Sequence, residues 1–151
     1  MSELKSKLQS DLNDAIKSRN SVVAETIRMV LAAITNEEVA GKEKKELSDA
    51  EVITVLTREA KKRREAAEAF EQGGRADRAA SERAEGEVIA GYLPEQLSES
   101  ELNNLIAETI KAVGAAGPAD MGKVMGALKA KVAGKADGAL VSTLVKAALN
   151  K

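Results

Sequence analysis

Apolar residues recur at three- and four-residue intervals through most of this 151-residue chain, and most of these stretches begin with a side chain that can cap a helix. Ser48 with Glu51, and Ser98 with Glu101, match the capping box, in which a hydroxyl and a carboxylate each bind the other residue's backbone amide. Together, the period and the caps predict helices at about residues 2–20, 21–41, 48–72, 76–91, 98–113, 120–134 and 137–149.

The side chains available for a core point to the same fold class. The chain has one Phe, one Tyr and no Trp, although 44% of its residues are hydrophobic. Such a core must consist of Leu, Val, Ile, Met and Ala, which suits closely packed helices better than a sandwich or barrel. We therefore predict an all-α protein, with a bundle of long amphipathic helices in residues 1–93 and a small three-helix lobe in residues 94–151. The boundary is placed at Pro94, because the residue before a proline is disfavoured in a helix.

Several positions carry specific structural expectations. The Asp120 carboxylate is expected to cap the sixth helix, and Leu140 to join the apolar stripe of the seventh. Gly86 is expected to interrupt the fourth helix. Gly122 and Gly126 lie four residues apart, a spacing that favours close approach of a second helix over a functional groove.

Three polar residues fall among apolar ones. Glu59 and Arg63 lie on the apolar side of the third helix. A partly buried pair that bridges two helices, or side chains that lie along the core with their charged ends in water, is favoured there over an anion-binding groove. Tyr92 is expected to pack at the boundary between the lobes, with its hydroxyl bound to a backbone group or water.

The chain contains neither Cys nor His, which removes several chemistries at once. A thiolate nucleophile, a Ser-His-Asp triad, an imidazole base and the usual zinc ligands are all excluded. Paired carboxylates remain as an acid–base option, but nothing in the sequence selects a pair. No catalytic residue, metal or cofactor is therefore predicted. Charges alternate with Leu4, Leu8 and Leu12, and no apolar run approaches membrane-spanning length, so we expect a cytoplasmic protein with no membrane partner.

Charge is distributed unevenly along the chain, although the net charge is only −1. Residues 111–151 hold seven lysines and two aspartates, for a net charge of +5, and the remainder carries −6. A basic segment of this kind is the electrostatic footprint of nucleic-acid binding, although solvated helix faces also explain it. The candidate nucleic-acid-binding residues are Lys123, Lys129, Lys131, Lys135 and Lys146.

Two segments carry a resemblance to a known family. They are Gly91–Ser98 and Asp120–Met125, continued by Lys131, Gly134, Ala136–Gly138, Val141 and Leu144–Lys146. The chain resembles the GatB/YqeY family over essentially its whole length and is most similar to stand-alone YqeY proteins. GatB-type members are subunits of the glutamine-dependent amidotransferase that acts on misacylated tRNA, a carbon–nitrogen ligase. Their tail is implicated in holding tRNA. The resemblance covers that tail and not the catalytic domain.

Three hypotheses about function follow from these observations. The first is a protein that binds tRNA, or a tRNA-charging or amidating enzyme, through its basic C-terminal lobe without chemistry of its own. The second is an accessory component of glutamine-dependent amidation that acts only within a complex. The third is an adaptor whose amphipathic surface takes a partner helix. Lysines clustered on one surface favour RNA, whereas scattered lysines favour protein.

Overall fold

A computed structural model describes residues 2–150, and every regular element among them is helical. The predicted all-α class is thereby confirmed. The elements are α1 (Glu3–Lys17), α2 (Ser21–Glu38), α3 (Asp49–Gln72), α4 (Ala76–Ala90), α5 (Glu99–Val113), a short 3-10 turn (Pro118–Asp120), α6 (Met121–Val132) and α7 (Gly138–Leu149). None of these helices combines the length and apolar content that a membrane span requires.

The chain divides into two compact units, one ending at Leu93 and the other starting at Pro94. In the first unit, α3 packs along α4 and α1 along α2, while α2 also touches α3 and α4. Their shared core is aliphatic: Leu8, Ile27, Val30, Ile34, Leu47, Val52, Val55, Leu56 and Ile89. Leu47 lies outside any helix, so it anchors the charged connection between α2 and α3 to this core.

The second unit has a separate core of the same kind. Helices α5, α6 and α7 each contact the other two. The buried side chains come from all three: Leu102, Ile106, Val124, Leu128, Val132, Val141, Val145 and Leu149. Leu140, expected in this stripe, instead lies in the first turn of α7 with 39% of its surface exposed. Val141 takes the buried position one residue further on.

The predicted serine caps are present. The Ser2 hydroxyl accepts a hydrogen bond from the Lys5 amide at 2.9 Å, and Ser48 and Ser98 form complete capping boxes. The prediction for Asp120 is wrong. Its carboxylate accepts from the Ala116 amide at 2.8 Å and makes no capping bond to α6, because the 3-10 turn before α6 places it over the preceding loop.

Gly86 does not interrupt α4, which runs unbroken from Ala76 to Ala90. A Cβ atom at this position would lie 3.6 Å from the Cβ of Arg63 in α3. This distance is ordinary van der Waals contact, so α3 and α4 pack closely at Gly86 and the gap would also accept an alanine. Their packing outweighs the roughly 1 kcal/mol that a helical glycine costs relative to alanine.

Gly122 and Gly126, unlike Gly86, face no neighbouring helix among the described residues. A Cβ atom at either position would meet nothing within 4 Å, so no described part of the chain packs against them. The expected close helix contact is absent from residues 2–150. Gly126, in the middle of α6, therefore lowers helix stability without a compensating contact.

We expect Gly126→Ala to raise the free energy of unfolding by about 0.5–1 kcal/mol, because alanine adds helix propensity and meets no neighbour. Gly114→Ala serves as the matched control. Gly114 ends α5 with a φ of +67°, so alanine there should destabilise by about 1 kcal/mol. Urea unfolding of the two variants shows whether each substitution raises or lowers the free energy of unfolding. A loss of stability in Gly126→Ala would show that the position is covered.

The separation of the two cores leads to a prediction about fragments. Because each unit has its own capped helices and buried cluster, residues 94–151 should fold alone into a helical domain that melts cooperatively. A domain of this size is marginal, so a low melting temperature is expected. Circular dichroism of the fragment tests this, and a random-coil spectrum would mean that the second core needs the first unit.

Candidate nucleic-acid interface

All five candidate lysines lie on the surface of the second unit. Lys123, Lys129 and Lys131 project from α6, Lys146 projects from α7, and Lys135 lies in the turn that joins these helices. Among residues 2–150, none of the five forms an ion pair within the chain. Their ammonium groups are therefore free to bind an anionic partner.

The lysines of α6 do not share one face. With 3.6 residues per turn, Lys129 points about 100° to one side of the buried Leu128. Lys131 points about 60° to the other side, and Lys123 points about 140° to that same side. Lys129 and Lys123 thus border the outward side of the helix. Between them, that outward face carries only small, exposed residues: Gly122, Gly126 and Ala130. We call this strip, with its two bordering lysines, the outer face of α6.

The turn that carries Lys135 is held in place by the start of the second unit. The Leu97 amide donates to the Lys135 carbonyl at 2.9 Å, and the Gln96 side-chain amide donates to the Gly134 carbonyl at 2.7 Å. Gly134 has a φ of +72°, which permits the sharp exit from α6. The backbone that carries Lys135 is therefore fixed against Gln96 and Leu97 by hydrogen bonds to its carbonyls.

Charge is unevenly divided among the helices of the second unit, although α5 carries one lysine, Lys111, in its last turn. Residues 94–110 contain four glutamates and no basic residue, whereas α6, α7 and their turn contain the five lysines and one aspartate, Asp137. The unit as a whole is close to neutral, and its positive charge is concentrated on two of its three helices. An anionic partner would therefore engage α6 and α7 and avoid α5.

A buried carboxylate of the first unit is occupied by a contact within the chain. Glu38 is buried and accepts two hydrogen bonds from the Lys5 ammonium, at 2.8 and 3.0 Å, which keeps the pKa of its carboxyl below the usual value. This pair joins α1 to α2. No group of acidic side chains among the described residues is arranged to bind a metal ion.

Glu59 and Arg63 do not pair with each other. Arg63 reaches across to α4, where it lies 3.3 Å from Glu82 and 3.5 Å from Glu85. Glu59 is 5% exposed and pairs with Lys62 at 3.3 Å. The favoured prediction of a charge pair that bridges two helices thus holds for Arg63, but with α4 carboxylates as partners. An anion-binding groove does not form there, because two carboxylates already surround the guanidinium.

Tyr92 differs from its prediction in the partner of its hydroxyl. The hydroxyl donates to the Asp11 carboxylate at 2.5 Å, and Lys7 both pairs with Asp11 at 2.8 Å and lies over the tyrosine ring. The Lys7 and Tyr92 hydrogen bonds lower the pKa of Asp11. Burial and the Asp11 carboxylate raise the pKa of Tyr92. The end of the first unit is thereby tied to α1.

The family model for YqeY-like proteins matches residues 5–149, which span both units and all the lysines described above. The chain therefore belongs to the YqeY-like family.

Two curated relatives are fungal. The chain is 29% identical to "Altered inheritance of mitochondria protein 41, mitochondrial" of Pyrenophora tritici-repentis, over 86% of this chain and 71% of that protein. It is 34% identical to "Uncharacterized protein C22F3.15" of Schizosaccharomyces pombe, over 63% of this chain and 76% of that protein.

The Tyr92 contact predicts the effect of removing one hydroxyl. Tyr92→Phe keeps the ring over Lys7 and should lower the free energy of unfolding by about 1–2 kcal/mol at pH 7, because the hydrogen bond to a carboxylate is lost. In the wild type, folding raises the pKa of Tyr92, so its hydroxyl ionises at a lower pH in the unfolded chain than in the folded one. The free energy of unfolding therefore falls as the pH rises above about 10. The difference between the proteins should therefore shrink above that pH.

Chemical unfolding of both proteins at pH 7 and pH 11 tests this prediction. If the wild type and Tyr92→Phe are equally stable at pH 7 and again at pH 11, the hydroxyl contributes nothing to the stability of the fold.

Proposed function

We propose that this YqeY-like protein binds tRNA through α6, α7 and the turn between them, without chemistry of its own. The observation that carries this proposal is the set of five exposed lysines that have no ion-pair partner within residues 2–150. Such lysines contribute most of their binding energy by releasing the counterions of a nucleic acid.

The outer face of α6 is the favoured contact surface. Small residues between Lys129 and Lys123 let a sugar–phosphate backbone come close to the helix, while the two ammonium groups bind phosphates on either side. Lys131 points away from this face, so one RNA strand would engage only part of the set. The one Tyr and one Phe of the chain both lie in the first unit, which leaves the second without a platform for base stacking. Recognition would then depend on shape and phosphates, as suits a folded RNA.

A second candidate function comes from the resemblance of Asp120–Met125 and the following residues to the GatB tail. In this alternative, the protein is an accessory component of glutamine-dependent amidation of aminoacyl-tRNA, or binds a tRNA-charging enzyme. The scatter of Lys131 away from the outer face favours a protein partner for that side of α6. We also propose a cytoplasmic location. The relative from Pyrenophora has mitochondria in its name, so cell fractionation should compare both compartments.

The RNA proposal predicts a defined salt dependence. If three or four lysines bind phosphates, the logarithm of the binding constant should fall with the logarithm of salt concentration at a slope of about −2 to −4, since each contact contributes roughly 0.7–0.9. Lys123→Gln with Lys129→Gln should reduce the slope by about 1.4–1.8 and weaken two different tRNAs alike. Lys131→Gln with Lys135→Gln should have a smaller effect.

Fluorescence anisotropy with purified tRNA, titrated at several salt concentrations, measures these slopes. The matched control is Lys42→Gln with Lys44→Gln, which makes the same charge change in an exposed loop of the first unit. All three variants should fold normally, because exposed substitutions of this kind usually stay within about 0.5 kcal/mol of neutral. If no tRNA binds at low salt, or if the control weakens binding as much as Lys123 and Lys129 together, the adaptor alternative replaces this proposal.

A further inference from the structure

A second candidate binding surface lies in the first unit, at the turn that joins α1 to α2. A cleft of about 260 Å³ opens there, lined by Ala15, Ile16, Ala24 and the turn residues between the helices. Most of its lining surface is apolar, and Ile16 is 47% exposed although it follows the buried Ala15. A single exposed aliphatic residue is ordinary on a protein surface, but Ile16 lies beside an apolar concave surface, where it can contact a side chain of a partner.

Two arginines complete the lining of this cleft. Arg19 comes from the turn and Arg28 from the second turn of α2, and both are exposed. Neither guanidinium forms an ion pair among residues 2–150. Arg64 and Arg78 of the same unit also form none, whereas Arg58, Arg63, Arg75 and Arg83 do. The cleft is therefore a local positive site in a unit that holds more acidic than basic residues.

The size and openness of the cleft indicate what it would bind. Its volume falls below the roughly 300–1,000 Å³ that is usual for small-molecule pockets, so it does not enclose a ligand of that size. It does suit one anchoring side chain of a larger partner, with the surrounding contacts made at the surface. The apolar floor favours a protein over a nucleic acid, because phosphates gain nothing from contact with Ile16 and the two alanines.

From this geometry we propose that the α1–α2 cleft is a docking site for an acidic segment of a partner protein, which inserts one aliphatic side chain beside Ile16 and places carboxylates against Arg19 and Arg28. The site is formed entirely by residues of the first unit, so the proposal does not rest on RNA binding by the lysines of the second unit. Guanidinium groups suit this role, because they bind carboxylates with paired, parallel hydrogen bonds.

The backbone at Arg19 agrees with a role for its side chain. Arg19 is the one non-glycine residue with a positive φ, +58°, among the described residues. It follows the end of α1, in a turn closed by hydrogen bonds from the Arg19 amide to the Ile16 carbonyl and from the Asn20 amide to the Ala15 carbonyl. Glycine is the usual residue at such a helix end, so the arginine costs stability at this position.

Three synthetic peptides can probe the cleft on the full-length, ¹⁵N-labelled protein. The first has one leucine between four glutamates, the second replaces its glutamates with lysine, and the third replaces its leucine with alanine. We expect the first to shift the amide signals of Ala15, Ile16 and Ala24. The lysine peptide should leave them unchanged, and the alanine peptide should bind about tenfold more weakly or not detectably. Added salt should weaken binding, because the pairs are exposed.

Two variants test the arginines. Arg28→Gln should weaken the first peptide about two- to fivefold. Arg19→Gly should weaken it similarly while raising the melting temperature, because glycine relieves the positive φ; a loss of binding therefore cannot be ascribed to unfolding. Lys17→Gln, which removes an exposed charge that does not line the cleft, is the matched control and should bind like the wild type.

Four results would overturn the proposal. The acidic peptide could cause no shift at the cleft, or the lysine peptide could cause the same shifts. Purified tRNA could shift the cleft amides, which would make the surface part of an RNA site. The same amides could shift with protein concentration alone, which would assign the cleft to a second copy of the chain.

Discussion

Aliphatic side chains packed between helices hold each unit together. The largest fully buried side chains are all Leu, Ile or Val. Such side chains stabilise the fold through buried apolar area and close contact, but they form no hydrogen bonds. A polar group near them therefore needs a hydrogen-bond partner in its own helix or on a neighbouring element. The helices supply these bonds at their ends through Ser2, Ser48 and Ser98.

This constraint explains the few buried polar residues. Thr26 and Thr109 donate to carbonyls one turn earlier in their own helices, both at 2.7 Å. Glu38 and Glu59 are each met by a lysine. Each of these groups is already engaged within the chain, and none converges with another on an open cavity. Function is therefore best sought at the surface, in charged and apolar groups that the fold leaves without a partner.

The sequence predicts the elements of this fold better than the contacts between them. Caps and apolar periods are local, so they correctly predict all seven helices and most of the buried positions. Gly86 and Arg63 depend on how closely α3 approaches α4, and Tyr92 depends on the distant Asp11. No local pattern contains that information. The Asp120 carboxylate can accept from an amide of α6 or from the Ala116 amide. The 3-10 turn that precedes α6 favours Ala116.

The two candidate surfaces differ in how visible they are in the sequence. The excess of lysine after residue 110 can be counted directly, and helical spacing places those side chains away from the core. The same spacing shows that Lys123 and Lys129 border one outward face, and only the structure shows that no other part of residues 2–150 packs against Gly122 and Gly126 on that face. The α1–α2 cleft leaves no such signal, because Arg19 and Arg28 stand among many other charges, and their lack of partners is a property of the folded chain.

At two exposed positions the residue is not the one that the local backbone conformation favours. Each of these positions lies on one of the two candidate surfaces. Gly126 weakens α6 where alanine would fit, and Arg19 adopts a backbone conformation that glycine would take more readily. In neither case does a described contact compensate for the cost. Residues that break a local rule without a structural gain tend to occur at functional sites, because binding can select what stability alone would not. On this argument, the bare outer face of α6 and the guanidinium at the α1–α2 turn are features that the fold does not require and that binding partners would explain.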